Sequence, residues 1–231
     1  MKTYLLINIG IIIFPLLYSF EKTISYYKKY HAVLISTIIV GIPFVVWDII
    51  ATKRGDWLFN PKYISEIYFI GLPIDELLFF VTVPYSMIFL YEIAKHYFPS
   101  RKIKLEKKII YTITILLLAS GIYNYNQYYT FSVMIFSAFT FFLMGISKLS
   151  FTKESRFWIY IVLAFFPFVL TNYFLTSLPI VQYNPESFSQ IRISTIPIED
   201  FFYSFSLVTS YIYVYEMVKS KLDLKKIEEL K

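Results

Sequence analysis

Long apolar runs separated by short, lysine-rich stretches dominate the chain. Neither the strict alternation of a half-buried strand nor the one-sided stripe of a surface helix describes them. Seven runs stand out, at about 3–20, 32–50, 74–91, 109–124, 128–147, 157–178 and 198–218. Each is close to the length that crosses about 30 Å of hydrocarbon at about 1.5 Å per residue. The pattern predicts an all-α, polytopic membrane protein of about seven transmembrane helices. Lys2 before the first run resembles the start of a signal peptide, but the run ends in LLYSF with no small-x-small cleavage site, so it is read as a helix.

Composition strengthens this picture. Of 231 residues, 57% are hydrophobic, 21% aromatic and only 16% charged, which is far from the balance of a soluble domain. The chain has no cysteine, so disulfides and thiolate metal sites are excluded; its two histidines, His31 and His96, lie in basic segments without metal-ligand spacing. No metal or other cofactor is expected. The net charge of +6 would suit nucleic acid, but lysines clustered in the loops of a membrane protein set its topology. Membrane lipid, not nucleic acid, is the expected partner. The segments 21–31, 92–108 and 148–156 with the tail from 219 hold 17 of the 22 basic residues, Lys148, Lys225, Lys226 and Lys231 among them; the other side holds Lys2, Lys53, Arg54, Lys62 and Arg192. The positive-inside rule then puts the N-terminus outside and the C-terminus inside, as seven crossings require.

The chain also repeats itself at an offset of 124 residues. PFVVWD (43–48) lies on PFVLTN (167–172), PIDELLFF (73–80) on PIEDFFYS (197–204), and FLYEIAK (89–95) on YVYEMVK (213–219). Asp75 thereby pairs with Glu199, Glu76 with Asp200, Asp48 with Asn172 and Glu92 with Glu216. The offset contains four runs, an even number, so the two copies point the same way. A parallel three-plus-one-plus-three repeat about an axis along the membrane normal is expected, with a first repeat at 1–95, a connecting loop and helix at 96–126 and a second repeat at 127–231.

Two acid pairs, Asp75–Glu76 and Glu199–Asp200, each follow Pro-Ile. Proline at the first helical position with acids in the first turn is also how an ordinary helix begins. Length argues for more. Only 15 residues separate Glu76 from Glu92, and Asp200 from Glu216, which is roughly 22 Å of helix. Either the bilayer thins there or the acids lie inside the apolar zone, where ionisable groups mark function. A neutral carboxylic acid in such a pocket can act as a Brønsted acid with an ionised neighbour as base. Phe79, Phe80, Phe201, Phe202 and Tyr203 follow the acids, and Trp47 precedes Asp48. Their faces suit a cationic intermediate, although an aromatic interfacial belt would look the same. Tyr4 and Tyr18 read as belt residues, and Glu92–Lys95 and Glu216–Lys219 as local ion pairs at the inner helix ends. Arg192 either pairs with the acids or faces water. The isolated glycines form no G-x-G-x-x-G or P-loop, no Asp-rich magnesium motif is present, and the last run offers no lysine for a retinal Schiff base.

With these residues in view, the sequence resembles the membrane-integral lycopene cyclases, small carotenoid cyclases that occur as two short subunits or fused in one chain. The resemblance spans nearly the whole length and rests on WDIIATKRGDWLF leading to GLPIDELLFF, then FPFVLTNYFL, YN and IRISTIPIEDFFYSF. Pro197-Ile198-Glu199-Asp200 matches the family's Pro-x-Glu-Glu/Asp motif, whereas the first copy has Asp75 where Glu is usual. The resemblance implies cyclisation of the ψ end groups of lycopene to ionone rings (the β ring by default) without redox change. Protonation of the terminal double bond is followed by ring closure of the carbocation and loss of a proton. It implies an isomerase of the intramolecular-lyase type in the bacterial cytoplasmic membrane, with contacts to other carotenoid-pathway enzymes. It implies Glu76 and Glu199 as essential carboxyls with Asp75 and Asp200 as partners. A pocket would be shaped by Trp47, Asp48 and Asn172 with Pro73, Pro197, Phe79, Phe80, Phe201, Phe202 and Arg192. Two other readings stay open. A small-solute transporter could share the repeat, although the Pro-Gln dipeptides common to such transporters are absent and the acids sit toward one face. The other is a non-catalytic partner subunit of a carotenoid cyclase, disfavoured because both repeats keep their acids.

Overall fold

The computed structural model describes residues 2–147 and 149–229, with side chains as far as residue 222. Lys148 and Lys231 lie outside the described residues, and the side chains of Lys225 and Lys226 outside the described side chains, so those basic positions have no structural counterpart. Seven α-helices occur among the described residues: α1 (Thr3–Tyr18), α2 (Tyr30–Arg54), α3 (Ile74–Tyr97), α4 (Lys107–Tyr123), α5 (Tyr128–Ile146), α6 (Ser155–Ser177) and α7 (Ile198–Glu229). They stand where the seven apolar runs predict them. Four segments, Tyr26–Arg54, Ile74–Tyr97, Tyr128–Ile146 and Ser155–Ser177, are long and apolar enough to cross a membrane. The fold is all-α and membrane-like. α1 is as apolar but has 16 residues, α4 has 17, and α7 is rich in Tyr, Ser and Thr; these fall short by length or composition.

Short strands join the helices at one end: β1 (Trp57–Phe59), β2 (Tyr68–Phe69), β3 (Leu72–Pro73), β4 (Val181–Tyr183), β5 (Arg192–Ile193) and β6 (Ile196–Pro197). β2–β3 and β5–β6 are hairpins that feed directly into α3 and α7. Their turns carry the same left-handed residues, Ile70 (φ 52°) in one and Ser194 (φ 58°) in the other, preceded by Glu66 (φ 60°) and Gln190 (φ 63°). Gly71 (φ 90°) completes the first turn, where a second positive φ favours glycine. The prolines stand one position earlier than the helix-start reading puts them. Pro73 is the extended N-cap of α3, so Asp75 and Glu76 fall at the second and third helical positions.

β1 pairs antiparallel with β4, with Leu58 opposite Gln182. These two residues are 124 apart, so a pseudo-twofold axis passes between them. The surrounding bonds obey it. Asn60 N–H donates to the Ile180 carbonyl (2.9 Å) and Asn184 N–H to that of Asp56 (2.8 Å). Ile74 N–H donates to Ile67 (2.7 Å) and Ile198 N–H to Ile191 (2.9 Å). Tyr4 N–H donates to Tyr63 (3.0 Å) and Tyr129 N–H to Ser187 (2.8 Å). The last pair puts α1 and α5 at an offset of 125, one more than the rest of the repeat.

α1 packs on α3 and α5 on α7, while α2 of the first half packs on α7 and α6 of the second on α3. The halves therefore interlock, and their shared core holds Phe44, Met87, Ile88, Tyr160, Tyr211 and Tyr215. α4 lies against α5. A Cβ at Gly145 would stand 2.8 Å from the Tyr111 ring, so the missing side chain permits this close approach.

The inner helix ends differ from the local ion pairs expected there. Glu92 bonds Lys219 (3.0 Å) and Lys29 and accepts from the Tyr215 hydroxyl (2.9 Å); Lys95 reaches Glu216 at 2.5 Å but its own Glu92 only at 4.0 Å. Each glutamate thus pairs with the lysine of the other half, because α3 and α7 approach each other across the axis.

Candidate functional site

The acid pairs follow the hairpins, which leave no room for a longer approach to the helix. Within each pair the two carboxyls point different ways, since adjacent helical residues are turned by about 100°. Asp75 turns back onto the loop that leads into its hairpin, where Oδ2 accepts from Ser65 N–H (2.8 Å) and the Ser65 hydroxyl (2.5 Å). Its equivalent Glu199 accepts through Oε1 from Ser189 N–H (2.8 Å) and the Thr130 hydroxyl (2.6 Å). Both are fully buried.

Glu76 and Asp200 instead line a cavity of about 590 Å³, together with Asp48. This is the size of a small-molecule site. Glu76 accepts from the Tyr4 hydroxyl at 2.6 Å. Asp200 accepts from three donors, the Tyr129 hydroxyl, Asn172 Nδ2 (2.7 Å) and the Tyr183 hydroxyl (2.9 Å). Asp48 Oδ1 accepts from Trp57 Nε1 (3.1 Å) and the Thr52 hydroxyl (3.3 Å), while its Oδ2 is buried without a partner. The repeat makes a chemical difference visible here. In the second half an amide, Asn172, faces the carboxylate of Asp200; at the equivalent place in the first half a second carboxyl, Asp48, accompanies Glu76. Tyr183, on β4, is half-buried with its hydroxyl turned inward onto Asp200; desolvation pushes that hydroxyl up, and the neighbouring Asp200 raises it further. It therefore remains a protonated donor to Asp200.

The rest of the cavity is apolar. Trp47, Trp57, Phe79 and Tyr203 stand beside the acids, with Trp47 and Tyr203 stacked at 5.5 Å. From Glu76 the wall runs along α3 as far as Ile93, about 25 Å of helix. Phe14 on α1 and Leu170 and Phe174 on α6 form its exposed rim.

Of the residues singled out from sequence, the structure brings Trp47, Asp48, Glu76, Phe79, Asn172 and Asp200 together at the cavity. Phe80 is buried in the interlocked core, Phe201 meets Phe168 edge to face and Phe165 at a tilt, and Phe202 packs toward Leu117 and Met134. Pro73 and Pro197 end the strands behind the acids. Arg192 does not pair with the acids. Its guanidinium donates to the Thr195 carbonyl (2.5 Å) and lies over the rings of Phe188 and Tyr183. Tyr4 is corrected most. It is 1% exposed and bonded to Glu76, not an interfacial belt residue. Sequence reasoning also passed over Trp57, Tyr129 and Tyr183, the first and last of which lie in the quoted motif stretches. Among the described residues no cluster of acids and histidines could hold a metal ion.

A family model described as lycopene cyclase matches residues 1–94 and 126–218, well over half of the chain. No curated protein and no solved structure matches the chain significantly.

Proposed function

Because the chain belongs to the lycopene cyclase family, and so has the role of a carotenoid cyclase, we propose that it closes ψ end groups of lycopene to ionone rings, by default β rings, through an isomerisation of the intramolecular-lyase type. The observation that carries this reading is the apolar cavity with three carboxyls at one end. The Asp48–Glu76 pair supplies the proton. Two carboxyls at one apolar site are stable together when one carries a proton, and a proton held there stands ready for the terminal double bond. Cyclisation follows as the next double bond attacks the cation. Trp47, Tyr203 and Phe79 offer their faces to the positive charge. Asp200, held by three donors suited to an ionised carboxylate, takes the proton that leaves. No redox partner is needed, because one proton enters and one departs.

Asp75 and Glu199 are positioning residues in this reading, fixing each hairpin to its helix so that the next carboxyl enters the cavity. Repeats at 1–95 and 127–231 joined by 96–126 each contribute to the one site. The apolar helices support membrane integration, in a bacterial cytoplasmic membrane with the acid end outside. Expression in a lycopene-accumulating bacterial host, with chromatography of the pigments, tests the reaction. Cyclic carotene should replace lycopene with the native chain. Glu76→Gln, Asp48→Asn and Asp200→Asn should each lower the rate by about 100-fold or more at unchanged membrane levels. Unconverted lycopene with a well-inserted native chain would reject the cyclase reading and favour transport.

A further inference from the structure

The two halves match in backbone but not in the space they enclose. Around the cavity lie Thr171, Ile11, Val181 and Phe79. The repeat maps these onto Trp47, Phe136, Trp57 and Tyr203. There, the same positions carry rings; Trp47, Trp57 and Tyr203 also wall the open cavity, and Phe136 packs behind Trp47, away from it. Trp47 touches Phe136 (5.5 Å), Tyr203 (5.5 Å) and Trp57 (5.4 Å), and Phe44 touches Phe136 (5.3 Å). Three exchanges account for the difference: Thr for Trp, Ile for Phe and Val for Trp. Each leaves volume on the α1–α3–α6 side that its counterpart occupies on the α5–α7–α2 side.

The open side is also unequal along its length. Its carboxyls stand only at the hairpin end, whereas Met87, Leu90 and Ile93 line the far part. A linear polyene lying along α3 therefore presents one end to the acids and the other to an apolar wall or to lipid at the rim.

We propose that the chain holds a single reaction site, the α1–α3–α6 groove, that Trp47 and Phe136 set this number by plugging its counterpart, and that a carotenoid with two reactive ends is processed one end at a time, leaving and re-entering end for end. The inference rests on the cyclase reading for its chemistry. In each round a proton adds to the terminal C=C, a C–C bond closes the ring, and a proton is lost to Asp200. The substrate's composition is unchanged. The proton then returns from Asp200 to the Asp48–Glu76 pair before the second end is bound.

The test uses the full chain in lipid nanodiscs. Lycopene titrated against Trp fluorescence should saturate at one equivalent per chain; two equivalents would overturn the single groove. Thr171→Trp, which puts the plugging residue into the open side, should weaken lycopene binding at least tenfold while the melting temperature is kept; unchanged binding would overturn the location. In a chase, labelled lycopene is given first and a tenfold excess of unlabelled lycopene follows. Label should then accumulate in the monocyclic product, with bicyclic label falling about tenfold. Bicyclic label that ignores the chase would mean that both ends react without release, against the proposal. One equivalent bound with no ring formed would instead reject the cyclase chemistry and leave the single groove standing.

Discussion

Asp200 is held by three donors from three elements, the strand β4 and the helices α5 and α6, so its position is over-determined. Removing one donor at a time should therefore be graded, not absolute. Tyr183→Phe should lower turnover by about tenfold, since a hydrogen bond to a charged group contributes about 1.5–3 kcal/mol, with little change in lycopene affinity; initial rates in vesicles measure it. Ser65→Ala should act differently. It strips Asp75 of its shortest bond and should lower thermal stability by about 1–3 kcal/mol in a detergent melt. The presence of acid pairs is legible in the sequence, but which member of each pair faces the cavity is not. Asp75 and Glu76 are neighbours in an apolar run, and only the hairpin geometry decides that the first turns back and the second goes in. Tyr4 was equally illegible, because an interfacial tyrosine and a buried one bonded to an acid have the same sequence context.

At the scale of elements, all seven helices could be read from apolar runs, and the hairpins could not, being too short and too irregular for any period. The inner ion pairs show how sequence proximity misleads. Glu92 and Lys95 are three residues apart, yet Glu92 bonds Lys219 because α3 meets α7 across the axis, and Lys29 at the start of α2. A double-mutant cycle should accordingly give a larger coupling for Glu92/Lys219 than for Glu92/Lys95, within the range of about 0.5–3 kcal/mol for contacting pairs; equal couplings would contradict the crossed arrangement. Glu92→Ala alone, which leaves the partly exposed Lys29 and Lys219 without their carboxylate, should cost about 1–3 kcal/mol. Gly145→Leu should push α4 from α5 and lower the melting temperature while leaving the distant acids in place.

For the whole molecule, the repeat and its parallel sense were plain at an offset of 124, whereas the inequality of the two halves was not. Trp47 against Thr171 looks in an alignment like ordinary divergence, and only packing reveals that one fills what the other opens. Interlocking makes a further expectation. With α2 seated on α7 and α6 on α3, fragments 1–100 and 101–231 co-expressed in one cell should restore pigment cyclisation, and neither alone should; activity in a single fragment would refute the shared site. The β1–β4 pair carries one more consequence. Leu58 meeting Gln182 on the axis is the contact that two copies of one short chain make when each residue faces its own duplicate. Such a dyad inside a single polypeptide is the geometry that joining two copies of a self-pairing chain would produce. While the copies were identical, no substitution could alter one pocket without altering both. In a joined chain that constraint is gone, and one of two equivalent pockets is free to fill with aromatic packing while the other, walled by both copies, keeps its acids.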